Sequence, residues 1–231
     1  MAFQGYTQQT VDFMWGIRFN NERGWFLEHK DDYINTFLTP TRELGEQVYD
    51  AVHALLPDEP LMLKVSRIYR DARRLFGRGP YKDHLWWCIR TGDKDWTGRP
   101  TFWFELGPDY YSFGLGFWSP AAALMETYRK QIDAHPEELS KLVRQFNRQS
   151  VFTLDGPEYA RSKGQTSDLL RSWYQKKSLS LRWEGPLDER IFTSALAEDI
   201  IAGFKTLIPF YHYFNKLVAL TPRQERRGED A

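Results

Sequence analysis

The chain holds one cysteine, Cys88, among 231 residues. That excludes a disulfide framework and a thiolate metal cluster. Cys88 sits in the apolar run Leu85-Trp86-Trp87-Cys88-Ile89, which reads as a small buried hydrophobe rather than a nucleophile. Long apolar runs are missing too: no stretch approaches the ~18 residues that a membrane span needs. The start, MAFQGYTQQT, has no basic segment leading into an apolar one, so no secretory leader is expected. These absences predict a soluble, cytoplasmic protein. Charge of one sign is not in excess, since Lys+Arg and Asp+Glu both number 31. A whole-surface field for nucleic acid is therefore not expected, whereas a local basic patch is compatible with overall balance.

Several sequence signatures are absent as well. There is no phosphate loop ending in Gly-Lys-Ser or Gly-Lys-Thr, no G-x-G-x-x-G, no H-E-x-x-H and no G-x-S-x-G. His29, His53, His84, His135 and His212 are scattered, with no pair at the helical i, i+4 spacing of a zinc site. No metal site is expected, and the sequence names no cofactor.

What the chain does have is aromatic content, at 16% with 9 tryptophans. Such side chains build a core of large flat rings or line a stacking cleft for a base, a sugar or a peptide. Apolar positions predict a helix over residues 7–19, through Val11, Phe13, Met14 and Ile17. A second helix is expected after Asn20-Asn21, with asparagine as its N-cap. Thr39-Pro40 is expected to restart the pattern, which then repeats at Leu44, Val48, Val52 and Leu55. The middle changes period. Leu61–Tyr69, Leu85–Arg90, Thr101–Leu106 and Tyr110–Trp118 read as strands, with a hairpin turn at Gly107-Pro108-Asp109. Further on, Leu179–Trp183 reads as a strand, residues 147–166 read as irregular, and a long helix from about Leu187 is expected to kink or restart at Pro209.

The expected fold is α+β: a single domain over residues 1–220, with an antiparallel sheet of about four or five strands between N-terminal and C-terminal helices. A charged, disordered tail is expected over 221–231. Alternation puts Phe102, Phe104, Leu106, Tyr111, Phe113, Leu115 and Phe117 on a core face. The opposite face carries Trp103, Glu105, Tyr110, Ser112, Gly114, Gly116 and Trp118. A Ser-x-Gly-x-Gly row beside tryptophans means that something approaches closely, either a packed helix or a ligand over a cleft floor.

The densest chemistry lies in the loop from Ser66 to His84. It gathers Arg67, Arg70, Arg73, Arg74, Arg78 and Lys82 around Gly77, Gly79 and Pro80. Arginine offers a planar fork of donors suited to phosphate or carboxylate. Arg67, Tyr69, Arg70, Arg73 and Lys82 can converge if the loop folds back, with Tyr81 and Trp103 as stacking faces. A phosphate-bearing small molecule or a nucleic-acid end would be the partner of such a site, with Trp87 as a further stacking surface. Asp71 or Glu105 as base and His84 as acid would instead give a phosphoryl-transfer or hydrolytic enzyme. A third reading is structural: Asp71 and Asp83 pair with Arg70 and Lys82 and pin the loop, in an interaction scaffold with exposed Trp96, Trp118 and Trp183.

These residues also carry a resemblance. Asn20, Asn21, Arg23, Trp25, Phe26, Lys30 and Tyr33, then Arg67 to Asp71, Arg73, Pro80, Tyr81, Lys82 and His84, and later Tyr110, Tyr111, Gly114, Gly116 and Pro120 match a recurring pattern. The chain resembles the conserved hypothetical family called domain of unknown function 2461, from about residue 10 to 218. The resemblance implies one fold unit and a site at the central loop, and it supplies no reaction. The chain departs from the family pattern at Gly77, where an acidic residue is usual, and at Gly24, where Glu or Asp precedes the Trp-Phe pair.

Overall fold

A computed structural model describes residues 2–222, apart from the side chain of Arg74. Most of the expected charged tail, residues 223–231, lies outside the described residues. Helix α1 (Gln8–Phe19) buries Thr10, Phe13, Met14 and Ile17, the stripe that its spacing predicts. Helix α2 (Arg23–Glu28) is short, and neither asparagine caps it. Its N-cap is Glu22 without a side-chain hydrogen bond, while the Asn21 amide is engaged 60 residues away, on Tyr81. The next segment also differs from expectation. Helix α3 (Lys30–Asp32) runs through a π-turn (Tyr33–Leu38) into α4 (Thr39–Leu55) without a restart. Pro40 has no N–H to offer the Thr36 carbonyl, which accepts the Thr10 hydroxyl at 2.6 Å. A tertiary partner on α1 thereby satisfies the orphaned acceptor.

Six antiparallel strands follow: β1 (Leu61–Val65), β2 (Leu85–Thr91), β3 (Pro100–Leu106), β4 (Tyr110–Phe117), β5 (Thr153–Asp155) and β6 (Ser180–Pro186). Their order is β1-β2-β3-β4-β6-β5. The fold is α+β, with one or two more strands than expected because β5 is only three residues long and sits in the irregular polar stretch. β1 stops at Val65, short of Tyr69, because Ser66 turns its hydroxyl to accept the Trp86 N–H at 3.0 Å.

The predicted alternation sets the layers. Phe102, Phe104, Leu106, Phe113, Leu115 and Phe117 are buried on one face. Two helices pack on it, α4 and the long α8 (Ala195–Leu220). The Phe204 ring lies 4.8 Å from Phe102 and 6.1 Å from Phe113. Each fully buried side chain of this kind contributes about 1.5–3 kcal/mol. α8 continues through Pro209 without a restart, and its burial against the sheet and α5 (Ala122–Ala134) outlasts the lost hydrogen bond. The segment around Phe192 belongs to a separate 3₁₀ turn (Glu189–Phe192). Helix α6 (Pro136–Phe146) packs on α5, and α7 (Arg171–Tyr174) precedes β6.

The glycine row on β4 answers to neither expected neighbour. A Cβ at Gly114 would stand 2.1 Å from the Leu181 carbonyl oxygen, and one at Gly116 2.5 Å from that of Leu179. It is the backbone of the β6 strand and its approach that comes so close.

Candidate ligand cleft

The second face of the sheet carries Trp86 and Cys88 from β2, Thr101, Trp103 and Glu105 from β3, Ser112, Gly114 and Gly116 from β4, and Ser180, Arg182 and Glu184 from β6. Most of these line a cleft of about 440 Å³, with Trp96 and Trp118 at its sides. Its walls are indole rings, and Ser112 and Gly116 lie in its floor, a lining that admits a flat ligand. The Ser112 hydroxyl lies in this floor, 1% exposed, with no hydrogen-bond partner among the described residues. Arg182 reaches over Trp103 at 5.8 Å, and its Nε is also without a partner. Its guanidinium meets Glu184, and Asp155 at 3.5 Å. On the far side Arg90 lies 4.7 Å over Trp96.

The central loop brings a further cation to the Trp86 edge of this face, beside the cleft's lining. Residues 68–70 and 80–82 zip into a two-stranded ribbon, with the Arg70 N–H donating to Pro80 at 2.8 Å and the Lys82 N–H to Ile68 at 2.7 Å. The ribbon aims Lys82 inward, where its Nζ lies 5.6 Å from the Trp86 ring centre. Lys82 is half-buried and forms no ion pair among the described residues. Burial, with Arg70 and Arg67 nearby, pushes its pKa down to about 8, against the opposing pull of Glu105. Glu105 accepts the hydroxyl of Tyr110. Burial, then that hydrogen bond, raises the Tyr110 phenol well above its ordinary value.

The other expected site residues are distributed differently. Arg67 is exposed near Lys82. Arg70 turns back, its Nε donating to the Tyr81 carbonyl at 2.7 Å. Tyr81 is buried and stacks on Phe26 at 4.3 Å, with Tyr69 tilted against both rings. These two tyrosines therefore bind the loop to α2. Asp71 pairs with the exposed Arg73 at 2.8 Å, out at the loop tip. Asp83 pairs with Arg18 at 2.6 Å and with His84 at 2.9 Å. Asp83 thus ties the base of the loop to α1, whose Arg18 also reaches Asp109 of the hairpin turn at 2.5 Å, while the Asp71–Arg73 pair is local to the tip. His84 takes its neighbour Asp83 as hydrogen-bond partner, while Asp71 meets Arg73. Trp87 is fully buried on the core face against Phe104, 5.4 Å between rings, and offers no stacking surface.

Two further ties were not legible. The Asn21 side chain clamps the loop backbone, accepting from the Tyr81 N–H and donating to its carbonyl, both at 2.9 Å. Gly79 is required there, since a Cβ would stand 2.2 Å from the Asn21 Oδ1. Of the two family departures, Gly77 sits at the tip with φ 77°, beside Phe76 at φ 47°, and Gly24 faces open space on α2. Neither position lines the cleft. Arg182 and Ser180 enter the site only through the β4–β6 pairing, about 70 residues apart in sequence, which no local pattern reveals.

Among the described residues, no group of three His, Cys, Asp or Glu side chains is placed to hold a metal ion. No helix among them is long and apolar enough to cross a membrane.

Fold and cleft together define a protein with α4 and α8 on one face of a six-stranded antiparallel sheet and an aromatic, charge-lined cleft on the other. The chain belongs to the family described as "Conserved hypothetical protein (DUF2461)", whose model matches residues 9–213. No curated protein matches it.

Proposed function

We propose that the cleft binds a small phosphate-bearing molecule with a planar or sugar ring, such as a mononucleotide or a sugar phosphate. The observation that carries this reading is Lys82. It is a half-buried ammonium with no carboxylate in contact among the described residues, held beside two arginines and over Trp86. Concentrating positive charge in a half-buried place costs free energy unless an anion joins it. Trp86 and Trp103 supply ring faces for the rest of the ligand. The unpaired Ser112 hydroxyl and Arg182 Nε supply polar contacts that fix its orientation. Arg67 supports Lys82 from the rim. Arg70, Tyr69 and Tyr81 hold the ribbon that presents Lys82, and the Asp71–Arg73 pair stays outside. A catalytic role for Asp71 with His84 has no support in their positions. The single, buried Cys88 fits a reducing compartment, and we assign the protein to the cytoplasm.

Thermal melts against inorganic phosphate, mononucleotides and sugar phosphates test the reading. A ligand at ~100 times its dissociation constant adds ~2.7 kcal/mol, or roughly 5–10 °C for a chain of this size. A shift of that order that disappears in Lys82→Ala is the expected result. A panel that leaves the folded protein unshifted, or shifts Lys82→Ala equally, overturns it.

A further inference from the structure

Away from the sheet cleft, we infer a second anion site around Tyr159, built to take an oligophosphate group. A short ribbon sets its frame. The Lys177 N–H donates to Pro157 at 2.7 Å and the Tyr159 N–H to Gln175 at 3.0 Å. This brings Lys177 to 5.5 Å from the Tyr159 ring centre. Lys163, on the following loop, lies 4.4 Å from the same ring, and Arg129 of α5 lies 5.1 Å from it. Three cations from three segments thus converge on one phenol ring.

None of the three forms an ion pair among the described residues, because the carboxylates nearby are engaged elsewhere. Glu158 pairs with Lys176 at 3.0 Å, Glu126 with Lys130 at 2.7 Å, and Asp168 with Arg171. Asp133 accepts the Tyr174 hydroxyl at 3.0 Å. The Arg129 Nη1 is shielded from solvent and has no hydrogen-bond partner. One ring quadrupole is a weak counterweight to three like charges. A polyanion satisfies all three cations and the orphaned donor together.

A cavity of about 540 Å³ lies at this ring, lined by Tyr159, Ser162, Gln165, Thr166, Arg171 and Gln175 among others. Its wall is organised: Gln175 accepts the Lys163 N–H at 3.2 Å and donates to the Ser162 hydroxyl at 3.2 Å. Lys163, Lys177 and Arg129 border the Tyr159 ring without lining this cavity, whose own cation is Arg171, so a phosphate chain lies across the ring at the cavity's edge and the volume is open to a group that it carries. Tyr159 itself offers the ring on which the cations gather, and no acidic side chain lines the cavity.

The test is titration calorimetry of the full chain with tripolyphosphate at low salt, on wild type, Lys163→Ala/Lys177→Ala and Lys82→Ala. Wild type is expected to bind with a dissociation constant below about 1 mM, weakening as salt rises. The double variant is expected to bind at least tenfold more weakly while keeping its melting temperature, since both lysines are exposed. Lys82→Ala removes any share of the heat that comes from the sheet cleft, and is expected to keep a tripolyphosphate site that the lysine double variant lacks. Binding of adenosine triphosphate tighter than tripolyphosphate supports a nucleotide source for the phosphates, and equal binding supports the phosphate chain alone. No heat in wild type overturns the inference, as does equal binding by wild type and the double variant. Loss in Lys82→Ala with retention in the double variant overturns it too, and assigns the heat to the sheet cleft.

Discussion

Two neighbouring side chains, Lys82 and Asp83, point their charge in opposite directions and answer to pH in opposite ways. The Lys82 pKa falls from 10.5 to about 8. Between those values the unfolded chain holds a proton that the folded chain has released, so stability rises with pH there. Below pH 8 the fold carries the full penalty of the buried charge, which a bound anion relieves. Ligand affinity is therefore expected to hold up to about pH 8 and then fall as Lys82 loses its proton, and Lys82→Ala is expected to flatten that profile. Binding titrations at several pH values check this. Asp83 behaves conversely. Its hydrogen bond to His84, then that to Arg18, hold its carboxyl well below the usual range in spite of burial. Its stabilisation is present above the unfolded value of about 4 and is lost as pH falls through the folded one. Asp83→Asn is expected to lose about 2 kcal/mol at neutral pH, and to lose less than wild type between neutral pH and acid. Urea unfolding across pH measures both effects. The sequence named Lys82, Asp83 and His84 as members of one loop, but the Arg18 partner lies 65 residues away, beyond the reach of any local pattern.

At the scale of elements, β4 and the central ribbon frame the candidate site. Gly114→Ala is expected to cost about 3 kcal/mol or more, because its Cβ would meet the Leu181 carbonyl oxygen and drive β6 off β4. Chemical denaturation gives the value, and unchanged stability would contradict the close approach. Asn21→Ala removes two hydrogen bonds to the Tyr81 backbone and is expected to destabilise by about 2 kcal/mol. Amide exchange should rise over residues 68–82 more than elsewhere, since the clamp is local. The alternation of β3 and β4 was readable because a two-residue period tells core from cleft directly. The helix boundaries around residues 20–40 were not. Asn21 suits an N-cap by type, yet it serves a distant backbone, and Pro40 suits a helix start, yet it sits behind a π-turn whose freed carbonyl is met by Thr10. Tertiary partners overrode local preference at both places.

Over the whole molecule, the aromatic excess divides between two tasks. Phe102, Phe104, Phe113, Phe117, Phe204 and Trp87 form the core under α4 and α8, while Trp86, Trp96, Trp103 and Trp118 turn to the other face and line the cleft. The period of each strand sorts its own rings between the faces. What assembles the cleft is strand order, with β6 delivering Arg182 beside β4, while the loop between β1 and β2 holds Lys82 over Trp86 at its edge. The arginine-rich loop is anchored at its base by the Asp83–Arg18 pair and the Asn21 clamp, and it holds Lys82 beside Trp86.

The most direct measurement is a two-dimensional ¹H–¹⁵N spectrum of the 9 tryptophan indoles, during titration with a mononucleotide, a sugar phosphate and inorganic phosphate. At least one ring-bearing phosphate is expected to shift the indole signals of Trp86 and Trp103, to leave that of the buried Trp173 in place, and to lose its effect in Lys82→Ala. Signals that stay fixed throughout, or that move equally without Lys82, would contradict it.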